Sequence, residues 1–221
     1  MSTVGEPTIE CVESMPFAEN TYIVHLPGRT DCVIVDPGFE PDPVIDYIRE
    51  RKLTPAALLI THGHADHIGG IPAMKSEWPE CPIVIGRHEA DKLIDPKKNL
   101  SATFGVPIVT QPADVLLDDD EPYTAAGMTF ATTRIPGHSS GHIVFIWDGP
   151  TRKIVFDGDV LFQGSVGRTD FPDGSMPLLA TGIIKKLYTL PDDTLLYPGH
   201  GPSTTTGEEK LTNPFVSGRR G

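Results

Sequence analysis

An apolar run, Ala56-Ala57-Leu58-Leu59-Ile60, passes without a spacer into Thr61-His62-Gly63-His64-Ala65-Asp66-His67. A strand apolar on both faces cannot lie on a sheet with one wet side, so this one belongs at the centre of a sheet with layers packed on both faces. Three histidines and one aspartate then fall within six residues at its end, in a chain with eight histidines in all. In a tight turn alternate residues project to one side. His62 and His64 therefore converge on one point, and Asp66 and His67 turn toward a neighbouring one. Imidazole nitrogen together with carboxylate oxygen suits Zn, Mn or Fe rather than Ca or Mg. An ordinary polar surface loop is the competing reading, and the concentration of a scarce residue beside a buried strand counts against it.

Three further strand ends carry the same residue types. They are Pro136-Gly137-His138-Ser139-Ser140-Gly141-His142, Val155-Phe156-Asp157-Gly158-Asp159 and Tyr197-Pro198-Gly199-His200-Gly201-Pro202. Glycine beside the histidines bends the chain sharply and lets backbone approach a ligand closely. Four ligand-bearing strand ends in one chain indicate a metal centre.

Around these loops the pattern predicts strands over 8–12, 21–26, 32–35, 82–86, 128–134, 143–147, 153–156 and 194–197. Helices are expected over 71–78, 87–94 and 177–190, with another capped by Asp42 and carrying Pro43 at its first position. Residues 95–113 read as a long loop, and 214–221 as a frayed tail. Strands with helices interspersed, many too apolar for one-sided burial, suggest sheets packed together with helices outside, as a single domain over 1–221. Lys and Arg total 18 against 30 Asp and Glu, a net charge of −12. That balance argues against nucleic acid as a partner, since phosphates must be neutralised by clustered cations. Cys11, Cys32 and Cys81 are far apart and form no C-x-x-C pair, so neither a disulfide framework nor a thiolate zinc site is expected. No apolar stretch approaches the ~20 residues that span a bilayer, which predicts a soluble, cytoplasmic protein without a membrane partner.

The histidine-rich loops resemble the metallo-β-lactamase fold superfamily, whose signature is T-H-x-H-x-D-H, and the resemblance covers nearly the whole chain. It implies an α/β fold, an αββα sandwich with two divalent metal ions at one edge of the sheets, Zn first and Fe or Mn as alternatives. His62, His64 and His138 match the ligands of the first metal. Asp66, His67 and His200 match those of the second, and Asp159 matches the residue bridging both. Asp rather than Cys at the bridging position points away from true β-lactamases. Within the superfamily, the stretch from Phe162 to Phe171 (Phe-Gln-Gly-Ser-Val-Gly-Arg-Thr-Asp-Phe), Gly199-His200-Gly201-Pro202 and Thr212-Asn213-Pro214-Phe215 are similar to small glyoxalase II-like hydrolases. These lack the C-terminal helical domain with which larger glyoxalases II hold glutathione, and the thiol carrier stays open. The implied activity is hydrolysis of a small-molecule thioester, an S-2-hydroxyacylglutathione-like compound, by a hydroxide shared between the metals, with Asp66 as the catalytic residue that orients it.

Persulfide dioxygenases, which use a single Fe(II), resemble the chain too and share the Gly-Arg-Thr-Asp-Phe loop. Gly201-Pro202-Ser203 followed by three threonines looks like the hydrolase pattern. A lactone or ester hydrolase needs the same parts, and a non-enzymatic metal module is the remaining alternative. Arg168 either holds a substrate carboxylate or phosphate bidentately or braces its loop through Asp170. Asn99 and Phe104 are expected to line a substrate groove. His142 and Asp157 are given supporting roles around the metals, His25 and His88 ordinary ones, and Lys185-Lys186 and Asp118 to Glu121 read as solvated surface.

Overall fold

The computed structural model describes residues 5–216. The first sheet contains β1 (Thr8–Ser14), β2 (Glu19–His25), β3 (Asp31–Val35), β4 (Thr54–Ile60), β5 (Ile83–Gly86) and β6 (Val115–Leu117), paired in that order. Its first three strands run as an antiparallel meander, and β3 to β6 are parallel. The second sheet is built from β7 (Tyr123–Ala125), β8 (Met128–Arg134), β9 (Ile143–Asp148) and β10 (Lys153–Gly158). After a small ribbon, β11 (Leu161–Phe162) with β12 (Ser165–Val166), it is completed by β13 (Leu195–Pro198) and β14 (Thr204–Thr205), in the order β14-β13-β10-β9-β8-β7.

As its composition requires, β4 is buried on both faces. Ala57 and Leu59 join the core between the sheets, facing Phe130, Phe145 and Phe156 of the second. Leu58 and Ile60 join the core beneath α1 (Pro41–Glu50), α2 (Ala65–Ile68) and α3 (Ile71–Glu77), with Val44, Ile48, Ile68, Ile71 and Met74. On the outer face of the second sheet, α4 (Met176–Gly182) continues into a π-helical turn, Ile183–Leu187, and packs Leu179, Ile183 and Leu187 against Val144, Val155 and Leu196. The last helix is α5 (Thr206–Thr212). The order is thus helix, sheet, sheet, helix, the expected αββα sandwich in a single α/β domain.

The differences from expectation are local. Helix α1 starts at Pro41, and Asp42 does not cap it but sits in its first turn. Pro41 and Pro43 have no N–H, which leaves few orphan donors to cap, while an acid in the first turn still favours the helix dipole. Helix α5 was not anticipated, although its Thr205 hydroxyl accepts the Glu208 N–H at 3.2 Å, a capping signature readable as Thr-x-x-Glu. Lys186 is not a solvated side chain, for its Nζ donates to Thr133 Oγ1 and the Arg134 carbonyl, each at 2.9 Å. Of the expected frayed tail, 217–221 lie outside the described residues. Val216 is buried against the second sheet, and Asn213 Oδ1 accepts the N–H groups of Phe215 and Val216.

Candidate metal centre

Five loops meet at one edge of the sandwich, and each leaves the carboxyl end of a strand. Asp36 follows β3 and the Thr61–His67 stretch follows β4, parallel neighbours in the first sheet. His138, Asp159 and His200 follow β8, β10 and β13, which point the same way in the second. Hydrogen bonds stitch the sheets together there, from Ile143 N–H to the Thr61 carbonyl (2.9 Å) and from Asn20 N–H to the Gly199 carbonyl (2.7 Å). Gly199 lies where any side chain would intrude, since a Cβ would stand 2.4 Å from Asp159 Oδ1 and 2.5 Å from His67 Cε1.

The side chains form two groups. His62 Nε2 lies 3.1 Å from His64 Nδ1, which is 2.9 Å from His138 Nε2. In the second group His200 Nε2 lies 3.4 Å from Asp66 Oδ2, and His67 Nε2 lies 3.9 Å from the same oxygen. Asp159 stands between the groups, 3.4 Å from His138 Nε2 and His67 Nε2 and 3.6 Å from His200 Nε2. All seven residues singled out as ligands by resemblance therefore meet at one place.

The outer hydrogen bonds decide what the inner atoms are. His138 Nδ1 faces the Arg168 carbonyl (2.9 Å), and His200 Nδ1 faces the carbonyls of Phe17 and Ala18 (3.1 Å each). His67 Nδ1 is 3.0 Å from Asp36 Oδ2. Thr61 Oγ1 gives its hydrogen to Asp36 Oδ2 (2.6 Å), so toward His62 Nδ1 (3.1 Å) it is an acceptor. In the neutral form each of these four rings therefore carries its proton on Nδ1 and presents its Nε2 lone pair inward. Lone pairs and carboxylates converge with no donor among them beyond what His64 can offer. The buried His64 Nε2, His67 Nε2 and Asp159 Oδ1 have no hydrogen-bond partner. Such a donor set fits divalent cations, with second-sphere acceptors fixing each imidazole.

The titration behaviour divides along the two groups, the first held neutral and the second drawn toward a proton that a cation would have to displace. Burial and the neighbouring imidazoles push His62 well below the ordinary histidine pKa, and burial with His138 and Lys92 does the same to His64. Burial opposes a charged His67, but the Asp159 and Asp66 carboxylates outweigh it and push that pKa up. Burial likewise disfavours an ionised Asp159, and His67 and His138 overcome it, holding the carboxyl far below its usual range.

Three supporting residues were not legible in the motifs. Asp36 fixes His67 and also accepts the Thr61 N–H (2.8 Å). Glu89, fully buried, accepts the N–H groups of Gly63 (2.9 Å) and Gly141 (2.7 Å) and the Ser139 hydroxyl (2.5 Å), clamping the His62–His64 turn to the His138 loop. Lys92 joins it, bonded to Ser139 Oγ and Asp173 Oδ2. A Cβ at position 63 would stand 2.4 Å from Lys92 Cβ, which explains the glycine between the two histidines. The Val35-Asp36-Pro37-Gly38 strand end was a readable signal for Asp36; Glu89 and Lys92, in an irregular 3-10 segment, had none. His142 Nε2 accepts the Asp159 N–H (3.1 Å), and its ring stacks on His62 at 4.6 Å. Asp157 joins neither group and accepts the Leu161 N–H.

A cavity of about 330 Å³ opens above the two groups. Phe104 lines its mouth, 58% exposed. Asn99 lines the cavity as expected, yet its side chain is not free to meet a ligand. Its amide is used up inside its own loop, donating to the carbonyls of Lys92 and Ile108 and accepting from Ser101. Arg168 lines the cavity too, its guanidinium held by both Asp170 oxygens at 2.7 Å and lying 4.4 Å over the Phe171 ring.

Comparison with known proteins gives these loops a lineage. The family model described as the metallo-beta-lactamase superfamily matches residues 15–200. A curated relative from Haemophilus influenzae, the hydroxyacylglutathione hydrolase GloC, is 36% identical over 96% of this chain and 99% of its own. The crystal structure of the BLEG-1 B3 metallo-beta-lactamase shares 36% identity, covers 95% of this chain and 99% of its own, and superposes with a TM-score of 0.89. That of TTHA1623 in a di-iron-bound form is 33% identical, covers 94% and 100%, and has a TM-score of 0.79. No helix among the described residues is long and apolar enough to cross a membrane. With its four histidine- and aspartate-bearing strand ends gathered at one edge of an αββα sandwich, the chain belongs to the metallo-β-lactamase superfamily of metal-dependent hydrolases.

Proposed function

We propose that the protein hydrolyses a small-molecule thioester using two divalent ions, Zn first with Fe or Mn as alternatives. His62, His64 and His138 hold the first, Asp66, His67 and His200 the second, and Asp159 both. The observation that carries this reading is the set of inward lone pairs, each fixed by an outer acceptor, on the floor of a substrate-sized cavity. Paired divalent ions supply a Lewis acid for the scissile carbonyl and an acidified water as nucleophile. The chain's own residues do the rest. Asp66, at the cavity floor, accepts a hydrogen bond from the attacking water and orients it, the proton the water sheds passing to solvent. The water oxygen bonds to the acyl carbon, the carbon–sulfur bond breaks, and the thiolate leaves with the bonding pair to be protonated from solvent. Phe171, its ring centroid 5.1 Å from that of His64 and 5.7 Å from that of His138, keeps bulk water from that side. No cysteine lines the cavity, and burial pushes the Cys32 and Cys81 thiols up to about 12, so no side-chain thiolate competes as nucleophile.

Likeness to GloC supports a thioester, and likeness to BLEG-1 favours a β-lactam as the second reading. Purified metal-loaded protein offered S-D-lactoylglutathione and a chromogenic cephalosporin in parallel separates them. Loss of thioester absorbance, abolished by a chelator and restored by metal, supports the first reading. Turnover of the cephalosporin alone replaces it with the second. Oxygen uptake with a persulfide and one equivalent of iron would replace both.

A further inference from the structure

We infer that the substrate's outer arm, the thiol part projecting from the scissile bond, is uncharged and apolar or aromatic. This rests on the thioester reading and specifies the carrier that the reading leaves open. The walls above the polar floor are formed by Phe17, Leu100, Phe104, Phe162, Val166 and Phe171. Phe17 and Phe104 stand at the mouth with ring centroids 5.3 Å apart, edge to face, and remain 39% and 58% exposed. Phe39 backs Phe17 from behind at 5.9 Å. Two phenyl rings in mutual edge contact and left in water form an apolar wall at the mouth, a slot along which a third apolar group can pack. The slot is anchored to the centre, because the backbone carbonyls that receive His200 Nδ1 are those of Phe17 and Ala18.

The charges point the same way. Glutathione carries two carboxylates, and the cavity lining contains one cation outside the histidines, Arg168. Its Nε and one Nη are paired with Asp170, whose carboxylate offsets the guanidinium charge and leaves only the second Nη for an incoming anion. In the adjoining groove, across Leu100, Lys92 and Lys98 are paired with Asp173 and Asp91. That leaves Lys97 as the groove's one lysine without a carboxylate partner among the described residues. On a protein of net charge −12, an arm with two carboxylates against one ammonium gains little here and an apolar arm gains the two rings.

The test compares three thioesters of one acyl group on the metal-loaded holoenzyme, with glutathione, neutral N-acetylcysteamine and benzyl mercaptan as the thiols. The expected kcat/KM for the benzyl compound exceeds that for N-acetylcysteamine by about tenfold, the scale on which an apolar pocket discriminates, with the glutathionyl compound no better than the latter. Phe104→Ala should shrink the benzyl advantage to within about twofold. A glutathionyl preference overturns the inference while thioester hydrolysis stands; its loss in Lys97→Ala would place the arm in the neighbouring groove. Calorimetric titration with two inert thioethers, S-benzyl-N-acetylcysteamine and S-methylglutathione, decides the question even if no thioester is cleaved. Tighter benzyl binding that weakens in Phe104→Ala upholds the slot, and equal or tighter glutathionyl binding removes it.

Discussion

Asp36 shows how much of this site is set by residues that touch no substrate. Its carboxylate serves three donors, the Thr61 amide, the Thr61 hydroxyl and His67 Nδ1. In Asp36→Asn one oxygen becomes an NH2 group facing those donors, and His67 loses the partner that aims its Nε2 inward. Metal affinity should fall by about 10- to 100-fold, the usual cost of losing such a partner, with secondary structure kept. Chelator competition followed by circular dichroism checks both halves. Gly199→Ala acts on the same spot by sterics alone, pressing a methyl group on Asp159 and His67. It should release at least one metal equivalent per chain, counted by elemental analysis; full stoichiometry would contradict the packing at that loop. At this scale the histidines were legible because they are rare and clustered. Asp36 had only its place at a strand end to mark it, and Glu89 had nothing, since a lone acid gives no periodic signal and its partners are brought to it only by folding.

The clamp between loops belongs to the 3-10 segment after β5, Arg87–Leu93, where Glu89 and Lys92 stand one turn apart. Glu89 uses both oxygens as acceptors, so Glu89→Gln turns an amide nitrogen toward an N–H or O–H donor in a dry interior. The expected loss is about 2 kcal/mol in urea unfolding, from unsatisfied buried groups. A loss under about 0.5 kcal/mol would make the clamp incidental. Lys92 also reaches Asp173; burial works against ionisation of that carboxyl, but the hydrogen bond from Lys92 overcomes it and lowers its pKa to about 2. Because the folded value lies below the unfolded one, the contact's contribution is complete above about pH 4 and is lost as the pH falls toward about 2. Asp173 is only half buried, so the contribution is about 1 kcal/mol at most, and Asp173→Asn should flatten the stability curve across that window. Elements were legible in proportion to their length. Strand β4 announced itself by five apolar residues, whereas β6, β7, β11, β12 and β14 have two or three residues each and leave no pattern. Short pieces like these are held by their neighbours in the sheet rather than by their own sequence.

At the scale of the molecule, the site joins two half-folds. Each proposed metal position draws donors from the first sheet (His62 and His64, or Asp66 and His67) and from the second (His138, or His200, with Asp159 shared). Saturating metal should therefore stabilise the whole sandwich rather than one loop. At 100 times the dissociation constant the gain is about 2.7 kcal/mol, or ~5–10 °C in a chain of this size, reversed by chelation and read by scanning calorimetry as one transition. Two separated transitions would mean that the sheets unfold independently of the site. The layering of sheets with helices outside was legible because strands too apolar for one-sided burial needed cover on both faces, and the αββα order itself came from the family resemblance. The seam was not, since its backbone bonds, Asn20 to Gly199 and Ile143 to Thr61, join residues distant in sequence and carry no motif.

That seam has a consequence in time as well as in space. A chain emerging from the ribosome presents His62, His64, Asp66 and His67 early, beside a strand that needs the second sheet to cover one of its faces. The last donor is made 138 residues after the first, 200 − 62, and neither metal position is complete until the second sheet has docked. Loading would then be a late event in the life of each molecule, and ions met earlier would find four loose ligands instead of a fixed cage. Which metal the finished protein carries would be chosen by the folded geometry, not by whichever ion the growing chain encountered first.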